Sequence, residues 1–259
     1  MKIKDNKDRI FLMYLKRNWA ILLATAVFLI VWDIFKLYNH AKEVMTTDIY
    51  SRFIKNYDAT LLEYILVPLA VCLSYYFDNK NNYIEYINRR TPAKKYKNRI
   101  FIYGLLYAVL LVIIKDRIIF NAGGYFGNFG LSILGDDRVY VLKEIRYNNP
   151  YLFTWIATSS RVVVMFLVTY VSLTLTKYSK SLLLITMFPI LFRYFMDFLS
   201  SIILKLEYLF FQFQLETTNF GPNVYTMCKV IFSVIFMYLS AILLINYFGK
   251  KNINKSEVK

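Results

Sequence analysis

The sequence predicts an all-α membrane protein with six transmembrane helices. Three observations predict this class. First, six apolar runs stand out, at 19–37, 61–77, 100–120, 151–176, 181–204 and 225–248. A helix needs about 20 such residues to cross a bilayer; 61–77 is the short run, and 100–120 has an alternative end at 114. Second, the runs are continuous, whereas membrane strands alternate over about 10 residues. A helix satisfies its backbone polar groups internally, as lipid demands. Third, the chain of 259 residues is 58% apolar, with a mean hydropathy of +0.40. A soluble domain would be about half apolar. Eight glycines and five prolines are too few for a loop-rich β protein. Buried helices of a soluble protein are the competing reading, and the run lengths weigh against it.

The N-terminal segment 1–18 is charged, and no small-residue cleavage site follows the first run, so no cleavable signal is expected. Within it, DRIFLMYLKRN at 8–18 places Ile10, Phe11, Tyr14 and Leu15 near one helix face. It reads either as a helix lying in the membrane interface or as the start of the first span.

Charge sets the expected orientation. The net charge is +15. Segments 1–18, 78–99, 177–180 and 249–259 hold 6, 7, 2 and 4 basic residues, 19 of the 32 in the chain. The longer segments 38–60, 115–150 and 205–224 hold 3, 5 and 1. Basic residues concentrate in cytoplasmic loops, so both termini are expected inside the cell membrane. The same reasoning removes a nucleic-acid partner from consideration; the partner implied by the apolar runs is membrane lipid. Three parts follow: an N-terminal segment 1–18, a membrane domain 19–248 and a cytoplasmic tail 249–259.

The loop 78–99, DNKNNYIEYINRRTPAKKYKNR, carries more than topology. In NYIEYINRR, Tyr83, Ile84 and Ile87 share a helix face. Glu85 and Arg89 form an i,i+4 pair on another. Thr91-Pro92 then starts a new helix. A short helix with such a face suits a partner's groove. The plainer alternative is a solvated basic loop whose apolar residues touch headgroups.

Catalytic chemistry is not expected. The chain has one histidine, His40, and no HExxH pattern. A serine triad lacks its histidine. Paired carboxylates deep in two spans would need Asp33 and Asp197, both in the outer half. NAGGYFGNFG, in the outer loop 115–150, lacks the Lys-Ser/Thr ending of a phosphate loop. Cys72 and Cys228 lie in apolar context and suggest neither a disulfide nor a metal site.

Charges that fall inside the apolar runs include Asp33, Arg161, Arg193, Asp197 and Lys229. A charge at mid-bilayer costs about 2.5–3.5 kcal/mol and faces protein or water. Arg193 and Asp197 are spaced to pair on one face. Lys229 lies shallow enough to snorkel. The set reads either as internal ion pairs or as the lining of a polar cavity.

The six spans, the segment 8–18 and the Asn-Tyr-x-x-Tyr-Ile-x-x-Arg loop ending in Lys-Lys-Tyr resemble permease subunits of ABC transporters. The resemblance is to type-2 exporters of low-GC Gram-positive bacteria that export antimicrobial or amphipathic peptides. It implies a coupling helix between spans 2 and 3 that docks on a cytosolic ABC ATPase. Tyr83, Ile84, Glu85, Tyr86, Ile87, Arg89 and Arg90 would supply that contact. It further implies a connecting helix at 8–18, an outer hairpin at 205–224 and a second permease chain, identical or sister. No cofactor is expected in this chain, with ATP and Mg held by the ATPase. The alternatives are a stand-alone accessory, immunity or sensor protein, and a membrane enzyme.

Overall fold

A computed structural model describes residues 6–43, 59–80, 93–126, 145, 149–179, 181–202 and 224–257. Among them the chain is helical apart from the short connections at 149, 176–179 and 181, and forms no strand. The helices are α1 (Asn6–Glu43), α2 (Ala59–Lys80), α3 (Ala93–Phe126), α4 (Pro150–Leu175), α5 (Leu182–Ile202) and α6 (Val224–Glu257).

Helix α4 is the axis of the bundle. Asn149 caps it, its side chain accepting from the Leu152 amide at 3.1 Å. Pro150 follows at the first helical position, where its missing N–H costs nothing. Over an 18-residue apolar stretch of its span Tyr151–Leu175, 67% of the residues are buried, against 22% for the matching stretch of α1 and 33% for that of α6. Its inward side mixes small and hydroxylated residues, Thr154, Ala157, Thr158, Thr169 and Ser172, with Phe153, Val164, Val168 and Val171. Small residues let neighbouring helices approach closely where lipid supplies no hydrophobic push. Several hydroxyls bond back to the preceding turn, as Thr174 does to the Tyr170 carbonyl.

Helices α3 and α6 pack on α4, and α3 also packs along α1. Helix α2 lies against α1, α3, α4 and α5. At Gly104 of α3 the Val71 side chain of α2 packs so close to the backbone that any added side chain would collide with it. Pro68 in α2 and Pro189 in α5 are both buried within their helices. Neighbouring helices can re-satisfy a backbone group that such a proline frees.

The helices alternate in direction. At one end, Tyr14 of α1 clusters with Tyr96 and Ile100 of α3. Lys177, just after α4, lies over the Phe101 ring of α3 at 4.9 Å, and Tyr178 donates to Asn246 of α6 at 2.9 Å. At the other end, Leu37, Ile119, Phe120 and Ala157 form a separate cluster. The helix ends that adjoin the four basic-rich segments therefore share one end of the bundle, here called the basic end.

Among the described residues, three helices are long and apolar enough to cross a membrane: α1 over Tyr14–Asn39, α4 over Tyr151–Leu175 and α6 over Met227–Gly249. Leu62–Leu73 of α2 and Leu182–Phe195 of α5 are shorter apolar stretches. In α3 the apolar stretch is interrupted after Ile114 by Lys115, Asp116 and Arg117.

The boundaries differ from the sequence reading in three places. Helix α1 is continuous over its 38 residues, so 8–18 forms its first turns rather than a separate interfacial helix. Tyr14 and Asn18 are buried against the bundle, and that packing carries the helix straight through. Residues 115–126, counted with the outer loop, continue α3. They stay helical because Lys115, Asp116, Ile119 and Phe120 all find buried partners. Residues 249–257 of the tail continue α6. At about 1.5 Å per residue, α1 is roughly 57 Å long, well beyond a hydrocarbon core of about 30 Å. The loop residues Tyr83–Arg90 and the hairpin 205–223 lie outside the described residues.

Candidate functional site

Four helices bring five charged side chains to one buried place. Asp33 comes from α1, Glu63 from α2, Lys115 and Asp116 from α3, and Arg161 from α4. The alternating chain directions explain the meeting. Asp33 lies late in α1, Glu63 early in α2, Lys115 and Asp116 late in α3, and Arg161 early in α4. All four stretches lie toward the end opposite the basic one.

Lys115 is the hub. Its Nζ donates to Asp33 Oδ2 at 2.7 Å and pairs with Glu63. Asp116 Oδ1 lies 3.9 Å from the same Nζ. Arg161 Nη1 donates to Asp116 Oδ1 at 2.8 Å, which joins α4 to the group. Lys115 is 1% exposed and Arg161 6%. Charged groups this dry are tolerable only when paired.

The direct contacts set two cations against three carboxylates. A third cation stands nearby. Arg193 of α5 is buried, with its guanidinium 6.0 Å from the ring centre of Tyr64, the neighbour of Glu63. A ring of Tyr194 lies at 5.9 Å.

Arg117 points to a different side of α3. It donates to the hydroxyls of Thr154 at 3.3 Å and Thr158 at 3.2 Å. Its guanidinium stacks 3.6 Å from the centre of the Trp155 ring. Such a cation–π contact is worth about 0.5–2 kcal/mol. It fastens α3 to α4 beside the buried hub.

The sequence-predicted charges fare differently. Asp33 and Arg161 join one network with Lys115 and Asp116. Arg193 is buried as expected, but the side chain of Asp197 lies outside the described residues. Lys229 is half-buried in the second turn of α6. Glu63, Lys115, Asp116 and Arg117 were not singled out in the sequence. The available signal was depth: each sits at the same end of its run as Asp33 does.

The arrangement joins four helices by charge. Among the described residues, no group of three or more His, Cys, Asp and Glu side chains could hold a metal. No family model, no curated protein and no solved structure matches this chain.

Proposed function

We propose that this chain is the transmembrane permease subunit of an ABC exporter for an amphipathic or peptide substrate. It would span the cell membrane six times with both termini cytoplasmic. The observation that carries this reading is the loop 78–99. It links α2 and α3 and pairs the Tyr83, Ile84 and Ile87 face with a dense basic charge. The helix ends it joins belong to the basic end, where the ends of α1, α4 and α6 also lie. The positive-inside bias favours that end for the cytoplasm. A cytosolic ATPase carrying ATP and Mg would grip the loop there, through Tyr83, Ile84, Glu85, Tyr86, Ile87, Arg89 and Arg90.

The inner packing supports a two-chain path. Leu29, Val71, Val164 and Val234 are fully buried in one core, which leaves no lumen along them. A translocation path would therefore lie between this chain and a second permease chain. The ATPase could drive such a path only by holding the loop differently with and without nucleotide.

The sealed charged hub also favours a second reading, a stand-alone accessory, immunity or sensor protein. Affinity purification of the tagged full chain from its native membrane, with mass spectrometry, separates the two. The permease reading expects a stoichiometric ATPase, lost on changing Tyr83, Ile84 and Ile87 to Asp. An abundant, folded chain that brings no ATPase would overturn it in favour of the accessory reading.

A further inference from the structure

Lys115 and Arg161 are each matched to carboxylates. Arg117, two residues beyond Lys115 and on another side of α3, is not. Among the described residues no ion pair reaches it. Its contacts are the hydroxyls of Thr154 and Thr158 and the face of the Trp155 ring. The adjacent carboxylate, that of Asp116, accepts from Arg161 at 2.8 Å and lies 3.9 Å from Lys115.

A guanidinium carries five N–H donors in one plane. Each hydroxyl accepts from one of the two Nη atoms, and the Thr154 hydroxyl itself donates to the Tyr151 carbonyl at 2.8 Å. The Nε has no hydrogen-bond partner among the described residues. Stacking on Trp155 fixes the plane of the group without using a donor. Arg117 is thus a positioned cation with N–H donors still open, the form that recognises phosphate oxygens.

Its surroundings belong to the membrane interface. Trp155 is half-exposed and Tyr151, one turn before it, more so. The Tyr151 ring meets Phe120 of α3 edge-on, with centres 6.0 Å apart. On the neighbouring α1, Lys36 lies 6.0 Å from the centre of the Trp32 ring, next to the Asp33 that pairs with Lys115. Two cation–tryptophan pairs therefore flank the hub. Trp and Tyr collect where the rings sit at headgroup level. Helix α4 begins one turn before Thr154 and has no acidic residue in its first turn, so its positive dipole end adds to the charge of Arg117. Toward the membrane centre, Leu106, Leu110 and Ile114 continue from Arg117 as an exposed apolar stripe of α3.

We propose that Arg117 and Trp155, on the outside of the α3–α4 contact, form a binding site for an anionic phospholipid. The lipid belongs to the leaflet at the end opposite the basic one. Its phosphate oxygens accept from the Arg117 guanidinium, Tyr151 and Trp155 flank the headgroup, and an acyl chain runs along Leu110 and Ile114. This requires the helices to lie in a bilayer. It does not require an ATPase partner, so the co-purification experiment and the one below fail independently.

The test is native mass spectrometry of the full chain, incubated with equimolar phosphatidylglycerol and phosphatidylcholine of identical acyl chains. The wild-type chain should retain phosphatidylglycerol about fivefold over phosphatidylcholine, the preference expected of one interfacial cation. Arg117→Gln should bring the two lipids to parity, and Arg117→Lys, which keeps the charge but loses the fork, should fall between. Equal retention by the wild-type chain overturns the proposal. So does a preference that persists in Arg117→Gln, which would assign selection to another cation. Displacement of the lipid by excess inorganic phosphate would overturn the lipid as occupant and leave a site for a free anion. A measurement on the wild-type chain decides even where Arg117→Gln fails to fold. Phosphatidylglycerol with a photoreactive headgroup should label the peptide that carries Tyr151 and Trp155; labelling confined to other peptides overturns the assignment.

Discussion

At the centre of the bundle Lys115 lies among Asp33, Glu63 and Asp116, almost wholly buried. On its rim Phe232 and Phe236 of α6 face outward, 69% and 74% exposed. The two regions invert the rule for a soluble protein, which keeps charges outside and large aromatics inside. The inversion is coherent if lipid is the solvent. An exposed Phe then loses nothing, because lipid tails are as apolar as its alternatives. A charge must instead find its partner inside. The centre is therefore specified by pairing, and the rim only by being apolar.

The sharpest way to break this contrast is Lys115→Met. It keeps the length and removes the charge, leaving Asp33, Glu63 and Asp116 without their shared cation. Removing one partner of a buried pair costs about 3–5 kcal/mol. The variant should accumulate poorly and unfold at a much lower temperature in detergent. Adding Glu63→Gln should recover part of the loss, since contacting residues couple by about 0.5–3 kcal/mol. Purely additive losses in the double variant would mean that Lys115 acts by packing, and the contrast with the rim would lose its electrostatic basis.

The same contrast explains what was legible in the sequence. The apolar runs at 19–37, 151–176 and 225–248 correspond to the three membrane-length helices because an apolar run needs no partner to be recognised. Asp33 and Arg161 stood out for the same reason, as charges within such runs. Lys115 and Asp116 did not. They follow the apolar stretch ending at Ile114, and locally they look like the start of a loop. What keeps them in α3 is the company of Glu63, distant in sequence, and of Arg161. Pairing across helices leaves no periodic trace in any one segment. Whether 8–18 forms a separate helix or the start of the first span was likewise left open by the local pattern. The packing of Tyr14 against α3, with Asn18 buried one turn on, carries α1 through this stretch.

A middle-sized effect is expected at Gly104, where the centre is shaped by contact rather than charge. Gly104→Leu forces α3 away from Val71 and, behind it, Leu173. Overpacking of this kind costs about 1–3 kcal/mol. Thermal unfolding in detergent should show a loss smaller than for Lys115→Met. The displaced α3 would also lengthen the Lys115 contacts to α1 and α2, so the two losses should not add fully. Strict additivity would place the α2–α3 contact and the charge hub in independent parts of the bundle.

The smallest effect belongs to the rim. Phe236→Ala removes a large aromatic side chain midway along the apolar span of α6. In a core, that truncation costs about 3–5 kcal/mol, mostly through the cavity it leaves. On a lipid-facing surface the tails close over the gap, and the expected change is within about 0.5 kcal/mol. Unfolding of the isolated chain in detergent measures this directly. The result also bears on the second permease chain. If Phe236→Ala leaves the isolated chain unchanged but weakens cross-linking between chains in the membrane, this face of α6 is covered by protein rather than lipid. If neither quantity moves, lipid is its only partner, and a path between two chains would have to use another face. A core-sized loss in the isolated chain would remove the distinction between centre and rim altogether.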